Sequence, residues 1–98
     1  MFQYPQGMTE KEIEAYFVKR VASIGGKAYK FRSVSQRGVA DRIACMPNGK
    51  IIMVEIKKRG GRLSALQEVF AEEMRSVGAP YVCLWSKEDV DAWLVRFS

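Results

Sequence analysis

The sequence predicts a single α/β domain, a mixed sheet flanked by helices, from three observations. Three segments repeat apolar residues at helical spacing, and short apolar runs of strand length lie between them. Pro47-Asn48-Gly49 joins two of these runs, and Asn-Gly is the strongest short hairpin signal. A strand–helix–strand–helix series then ends the sequence, which implies a right-handed parallel crossover. The sheet therefore has both antiparallel and parallel neighbours, and 98 residues suffice for one modest core.

The first helix is expected over residues 9–24. Thr9-Glu10-Lys11-Glu12 has the spacing of a capping box, with Thr9 as N-cap and Glu12 at N3. Ile13, Tyr16, Phe17, Val21 and Ile24 form its apolar stripe, and Gly25-Gly26 ends it. Strands follow at Lys27 to Val34, Val39 to Met46 and Lys50 to Lys57. Ile51-Ile52-Met53-Val54 is apolar at successive positions, the pattern of a strand covered on both faces. Lys58-Arg59-Gly60-Gly61-Arg62 reads as a flexible basic loop. A second helix begins near Ser64, where Ser64 and Gln67 match another capping box. Leu66, Val69, Phe70, Met74 and Val77 line one of its faces, and Gly78 stops it. Tyr81 to Trp85 is a short strand, and Ser86-Lys87-Glu88-Asp89 opens a final helix carrying Val90, Trp93, Leu94 and Phe97. The order is α-β-β-β-α-β-α, and residues 1–98 read as one domain.

Composition excludes several classes of function. The apolar share of 48% and charged share of 28% belong to an ordinary globular protein. No apolar run approaches the roughly 20 residues that span a bilayer, so no membrane partner is expected. The opening Met-Phe-Gln-Tyr-Pro-Gln-Gly lacks the regions of a secretion signal, which suggests the cytosol. Cys45 and Cys83 lie in apolar runs, form no CxxC pair, and read as buried reduced thiols. There is no histidine. That removes Ser-His and Cys-His nucleophiles and imidazole metal sites. Any metal must be held mainly by oxygen, which favours Mg²⁺ or Mn²⁺. Nothing points to a small-molecule organic cofactor.

The net charge of +5 is unevenly spread. Residues 27–62 hold ten Lys or Arg against two acids, and the remainder holds six against nine. A basic stretch of this kind suggests a polyanion bound on one side of the molecule. Its two acids are Asp41 and Glu55, both in strand-like sequence. With a hairpin centred on Asn48-Gly49, cross-strand partners sum to about 97, placing Asp41 beside Ile56 and Arg42 beside Glu55. Asp41 and Glu55 become diagonal neighbours, and Lys57 projects from the same face as Glu55.

Two carboxylates in one small site repel each other and are costly to desolvate unless a cation joins them. Mg²⁺ takes a few carboxylate oxygens and leaves positions for water and phosphate. A lysine beside them can orient or deprotonate an attacking water, or stabilise charge on phosphorus. Edge charges on a strand are the plainer reading of Glu-x-Lys. Here the Glu follows four apolar residues and would face a buried region, which favours chemistry.

Arg37-Gly38-Val39-Ala40-Asp41-Arg42-Ile43, then Val54-Glu55-Ile56-Lys57, then Leu63-Ser64-Ala65-Leu66-Gln67, resembles the VRR-NUC family of the PD-(D/E)XK nuclease superfamily. The likeness runs from Glu14 to about Trp85. Ala40 departs from it, since the family usually has proline there, a residue that shapes backbone and binds no metal. The resemblance implies a restriction-endonuclease-like α-β-β-β-α-β core with a C-terminal helix added. It implies a metal site of Asp41, Glu55 and the backbone carbonyl of Ile56, with Lys57 catalytic and Gln67 nearby. It also implies a first-helix glutamate near the metal, and Glu14 fits best by its distance from Gly25-Gly26. Helix geometry alone leaves Glu10 and Glu14 both open, because both flank the apolar stripe. The same resemblance implies a Mg²⁺- or Mn²⁺-dependent endonuclease acting as a homodimer on branched DNA such as four-way junctions. Lys30, Arg32, Arg37, Lys58, Arg59 and Arg62 are candidates for phosphate contact. The rival readings are a non-catalytic nucleic-acid-binding domain, and an accessory subunit whose acids only stabilise structure.

Overall fold

Thr9 starts the first helix by the predicted capping box: its hydroxyl accepts from Glu12 N–H, and Glu12 returns a bond to Thr9 N–H. The computed structural model describes residues 8–33 and 35–97. Helix α1 spans Glu10–Ser23, followed by strands β1 (Lys27–Lys30), β2 (Arg42–Cys45) and β3 (Ile51–Ile56). Helix α2 (Ala65–Ser76), strand β4 (Tyr81–Leu84) and helix α3 (Lys87–Leu94) complete the order, with a 3₁₀ turn over Val95–Phe97. The four strands lie in sequence order. β1–β2 and β2–β3 are antiparallel and β3–β4 is parallel, as predicted.

α1 and α3 cover one face of the sheet. Ile13, Phe17 and Val21 of α1 and Val90, Trp93 and Leu94 of α3 pack on Ala44, Ile52, Val54, Ile56 and Leu84. Burying each large side chain contributes about 1.5–3 kcal/mol. α2 covers the other face over β4, where Phe70 meets Tyr81 edge to face, with ring centroids 6.0 Å apart.

The structure corrects four expectations. First, the hairpin is centred on Asn48 within the expected loop Pro47-Asn48-Gly49, and not on Asn48-Gly49. Met46 N–H donates to Lys50 C=O, Gly49 N–H donates to Met46 C=O, and Gly49 takes φ 84°. The register therefore shifts by one residue: Arg42 stands opposite Val54 and Ile43 opposite Met53. Continued one step, it sets Asp41 level with Glu55 instead of diagonal to it. Second, β1 ends at Lys30, although Phe31 N–H still donates to Asp41 C=O at 2.9 Å. Val34 lies outside the described residues.

Third, Ile51 is 57% exposed, so β3 is covered on both faces only toward its end. Fourth, α2 is turned by one residue from the predicted stripe. Phe70 and Ala71 are buried, with Gln67 and Met74 half-buried beside them, while Leu66, Val69 and Val77 are exposed. Gly38 sits against the backbone of Leu66 at φ 85°, where an added Cβ would lie 2.6 Å from the Leu66 carbonyl. That close approach clamps the segment before Asp41 onto the first turn of α2.

Candidate active site

Asp41 lies where β2 begins. Its Oδ2 accepts from Ile56 N–H at 2.9 Å, so a side chain takes the bond that a further strand residue would have made. The N–H and C=O of one strand residue point to the same side, which directs the Ile56 carbonyl toward Asp41. Glu55, one residue back, projects from the face α2 covers and is 1% exposed, the one buried charged residue among those described. Burying a carboxylate demands partners. Its Oε2 accepts from Gln67 Nε2 at 3.2 Å, while Oε1 has no partner among the described residues.

Gln67 closes the predicted capping box and also reaches Glu55. Its Oε1 accepts from Ser64 N–H at 2.8 Å, closing the capping box, which leaves the NH₂ group to donate to Glu55. Lys57 follows on the same face, half-buried, with its N–H donated to Leu84 C=O at 3.0 Å. Its charge favours the ionised form of Glu55.

Burial, then the neighbouring Asp41, push the Glu55 carboxyl up to about 8, against a weaker opposing pull from Lys57. Glu10 adds to the upward push, so its carboxylate acts on the pair from α1. Glu14 is engaged elsewhere. Its Oε2 accepts from Arg42 Nε at 2.6 Å and Lys30 Nζ at 3.1 Å, on the face packed against α1. Burial alone would raise the Glu14 carboxyl, but these two bonds outweigh it and hold it below its ordinary value. The structure thus brings Asp41, Glu55, Lys57, Gln67 and the Ile56 backbone together, with Glu10 in electrostatic reach, and gives Glu14 to Arg42. No group of three or more acidic, Cys or His side chains is gathered for metal among the described residues.

Of the basic candidates, Lys30 is paired with Glu14, while Arg32, Arg37, Lys58, Arg59 and Arg62 are exposed or half-exposed. Two basic segments leave the sheet at the end that carries the acids, one entering Asp41 and one leaving Lys57. The second is a tight turn and not the open loop expected. Gly61 N–H donates to Lys58 C=O at 2.8 Å, Gly60 takes φ 82°, and Trp85 Nε1 donates to Gly61 C=O at 3.2 Å. Trp85 escaped the sequence reading, which treated it as strand filler; an indole N–H that needs an acceptor was the available signal.

Metal-free stability should follow the Glu55 proton. Between pH of about 4.5 and 8 the folded chain keeps a proton that the unfolded chain has released, so stability falls as pH rises through this window. Glu12, Glu14 and Asp91 are all held low and titrate below it. Thermal melting in chelator should drop from about pH 5 to about pH 8, and Glu55→Gln should flatten that trend. A Gln variant with the wild-type slope would show that another group sets it.

No family model matches the chain. It is similar to "Putative nuclease p44" of Acyrthosiphon pisum secondary endosymbiont phage 1, at 50% identity over 58 residues. That alignment covers 59% of this chain and 62% of the phage protein, so it spans less than two thirds of the relative. Two solved structures share the fold. One, described as "VRR_NUC domain", superposes with a TM-score of 0.84 at 24% identity over 93% of this chain and 100% of its own. The other, "VRR_NUC domain protein", gives 0.76 at 15% identity over 94% and 89%. The fold is the VRR_NUC fold.

Proposed function

We propose, starting from the VRR_NUC fold and the similarity to a phage nuclease, that this chain is a metal-dependent endonuclease that hydrolyses phosphodiester bonds in DNA. One observation carries the reading: a buried glutamate with a free oxygen, paired with an aspartate and a lysine at the mouth of two basic segments. A domain that only bound DNA would gain nothing from two acids facing a polyanion.

The residues fit a hard divalent cation. Asp41, Glu55 Oε1 and the Ile56 carbonyl offer oxygen donors of the type Mg²⁺ and Mn²⁺ take, and neutralising the pair would offset the cost of ionising Glu55. Glu10 replaces Glu14 as the first-helix acid in this reading, because Glu14 is committed to Arg42 and Lys30. When bound, such a cation acidifies water and offsets charge building on phosphorus. Gln67 holds Glu55 by one oxygen, leaving the other free to act. Lys57 holds or accepts a proton of the attacking water at Nζ, or donates to a non-bridging phosphate oxygen. The Arg37 and Lys58–Arg62 segments hold the phosphate backbone on either side, giving affinity with little sequence reading.

Action on branched DNA, including four-way junctions, and a cytoplasmic homodimer are part of the proposal. Two symmetric cuts need two sites related by a two-fold axis. The test is incubation of labelled junction, flap and linear duplex with Mg²⁺, Mn²⁺ or EDTA. Metal-dependent cutting of the junction in paired symmetric positions is expected. No cutting of any substrate would reject the enzyme and leave a binding domain.

Arg59 pairs with Glu88 only at 3.7 Å across open solvent, an interaction weak enough for a phosphate to displace. Arg59→Ala and Arg62→Ala should each lower the slope of log affinity against log salt by roughly 0.9 for every phosphate they cease to neutralise. An unchanged slope in both would remove this turn from the DNA path.

A further inference from the structure

Two buried polar atoms lack a hydrogen-bond partner among the described residues, Glu55 Oε1 and Tyr81 Oη. They belong to neighbouring strands and the same sheet face. In the parallel ladder Met53 stands beside Tyr81 and Glu55 beside Cys83, so Tyr81 is the diagonal neighbour of Glu55. Diagonal pairs lie roughly 7–8 Å apart at Cα, within reach of an aromatic side chain. The Phe70 ring meets the Tyr81 ring edge to face and holds it between α2 and the sheet. After burial, the charges that act on the hydroxyl are those of Glu55, Cys83 and Asp41.

Packing explains the ring but not the hydroxyl. A phenylalanine would meet Phe70 equally well without carrying an oxygen into a buried place. Buried polar groups are nearly always bonded, to protein or to ordered water. Tyr81 does not bond Glu55 directly, and a water between the two groups would satisfy both. A buried water needs two to four polar partners of this kind.

We propose that Tyr81 is a positioning residue of the acid pair: its hydroxyl donates to a buried water, and that water donates to Glu55 Oε1. Glu55 is then gripped at both oxygens, by Gln67 directly and by Tyr81 through water, and its carboxylate plane is fixed. An oxygen that accepts from this water can still carry the Glu55 proton toward Asp41, or leave a lone pair free on that side once the proton is gone. The inference rests on the proposal that Glu55 works in a metal site, and its test separates the two.

A high-resolution crystal structure of the full chain without metal should show a water within hydrogen-bonding distance of Tyr81 Oη and Glu55 Oε1. A hydroxyl bonded to another group, or to nothing, would overturn the proposal whatever the protein cuts. In Tyr81→Phe the ring and its contact with Phe70 remain, so the melting temperature should stay near wild type. Mn²⁺ affinity, measured by calorimetric titration without DNA, should fall about 10- to 100-fold, the usual loss when an outer partner of a ligand is removed. Turnover at saturating Mn²⁺ should change far less than the Mn²⁺ concentration needed for half-maximal rate. Unchanged Mn²⁺ affinity in the Phe variant would also overturn the role. If the wild-type chain binds no Mn²⁺ and cuts no DNA, the nuclease reading falls, and the crystal water alone decides for or against Tyr81.

Discussion

Glu55→Gln should abolish DNA cleavage while leaving the fold intact. The metal-free protein holds a proton on Glu55 at neutral pH, because its carboxyl is pushed up to about 8. Glutamine is a close mimic of that protonated acid, in shape and in charge. Its carbonyl can still accept from Gln67 Nε2, and its NH₂ can donate to Asp41 where the protonated acid would. The variant should therefore melt no lower than wild type in chelator, and above it near pH 8. Catalysis is another matter. A divalent ion contributes several kcal/mol of charge stabilisation, and each 1.4 kcal/mol or so is tenfold in rate. Removing one anionic ligand should cost about 10²–10⁴-fold, together with most Mn²⁺ affinity. Asp41→Asn should behave alike in cleavage, and its carbonyl can still accept from Ile56 N–H, so the fold should survive. Junction binding should persist or tighten in both, because an acid facing phosphate has been neutralised. Near wild-type cleavage by Glu55→Gln would remove Glu55 from the chemistry.

Much of this site was legible in the sequence, for identifiable reasons. Asp41 and Glu55 stood out as the two acids of a basic stretch, and strand alternation put Lys57 beside Glu55. Their meeting depended on the hairpin register, where Asn48-Gly49 misled by one residue. An Asn-Gly signal marks a turn but does not fix its centre, and here the three-residue loop is centred on Asn48 with Gly49 at positive φ. The error was harmless for chemistry, since level and diagonal partners both touch. The face of α2 was harder to read. Leu66, Val69 and Val77 looked like core and are exposed, whereas Gln67 turns inward. Hydrophobic periodicity cannot register a helix that uses one inward position for a polar group serving the site. Helix geometry likewise left Glu10 and Glu14 open, and sequence could not show that Arg42 and Lys30 of the sheet reach Glu14 on α1. Tyr81 read as strand filler, and only the parallel register makes it the diagonal neighbour of Glu55.

Lys57→Ala should uncouple cleavage from binding. A positioned proton donor or acceptor is worth about 10²–10⁴-fold in rate, and a defect of that order is expected at saturating DNA. Binding draws on several exposed Lys and Arg, so one missing cation should reduce the salt slope by about one unit and affinity only modestly. A second consequence comes from the electrostatics of the pair. Lys57 pulls the Glu55 carboxyl down against burial, Asp41 and Glu10. Without it, Glu55 should keep its proton to higher pH, and the metal-free decline of stability with rising pH should extend further into the alkaline range. Mn²⁺ should then bind more weakly at neutral pH and recover as the pH is raised, while cleavage does not recover, because the proton-handling group is still missing. Lys57→Arg restores charge but not the compact ammonium with its three rotatable donors. It should rescue Mn²⁺ affinity and leave most of the rate defect. An equal fall of binding and cleavage in Lys57→Ala would assign the residue to the fold, and full rescue by arginine would assign it to charge alone.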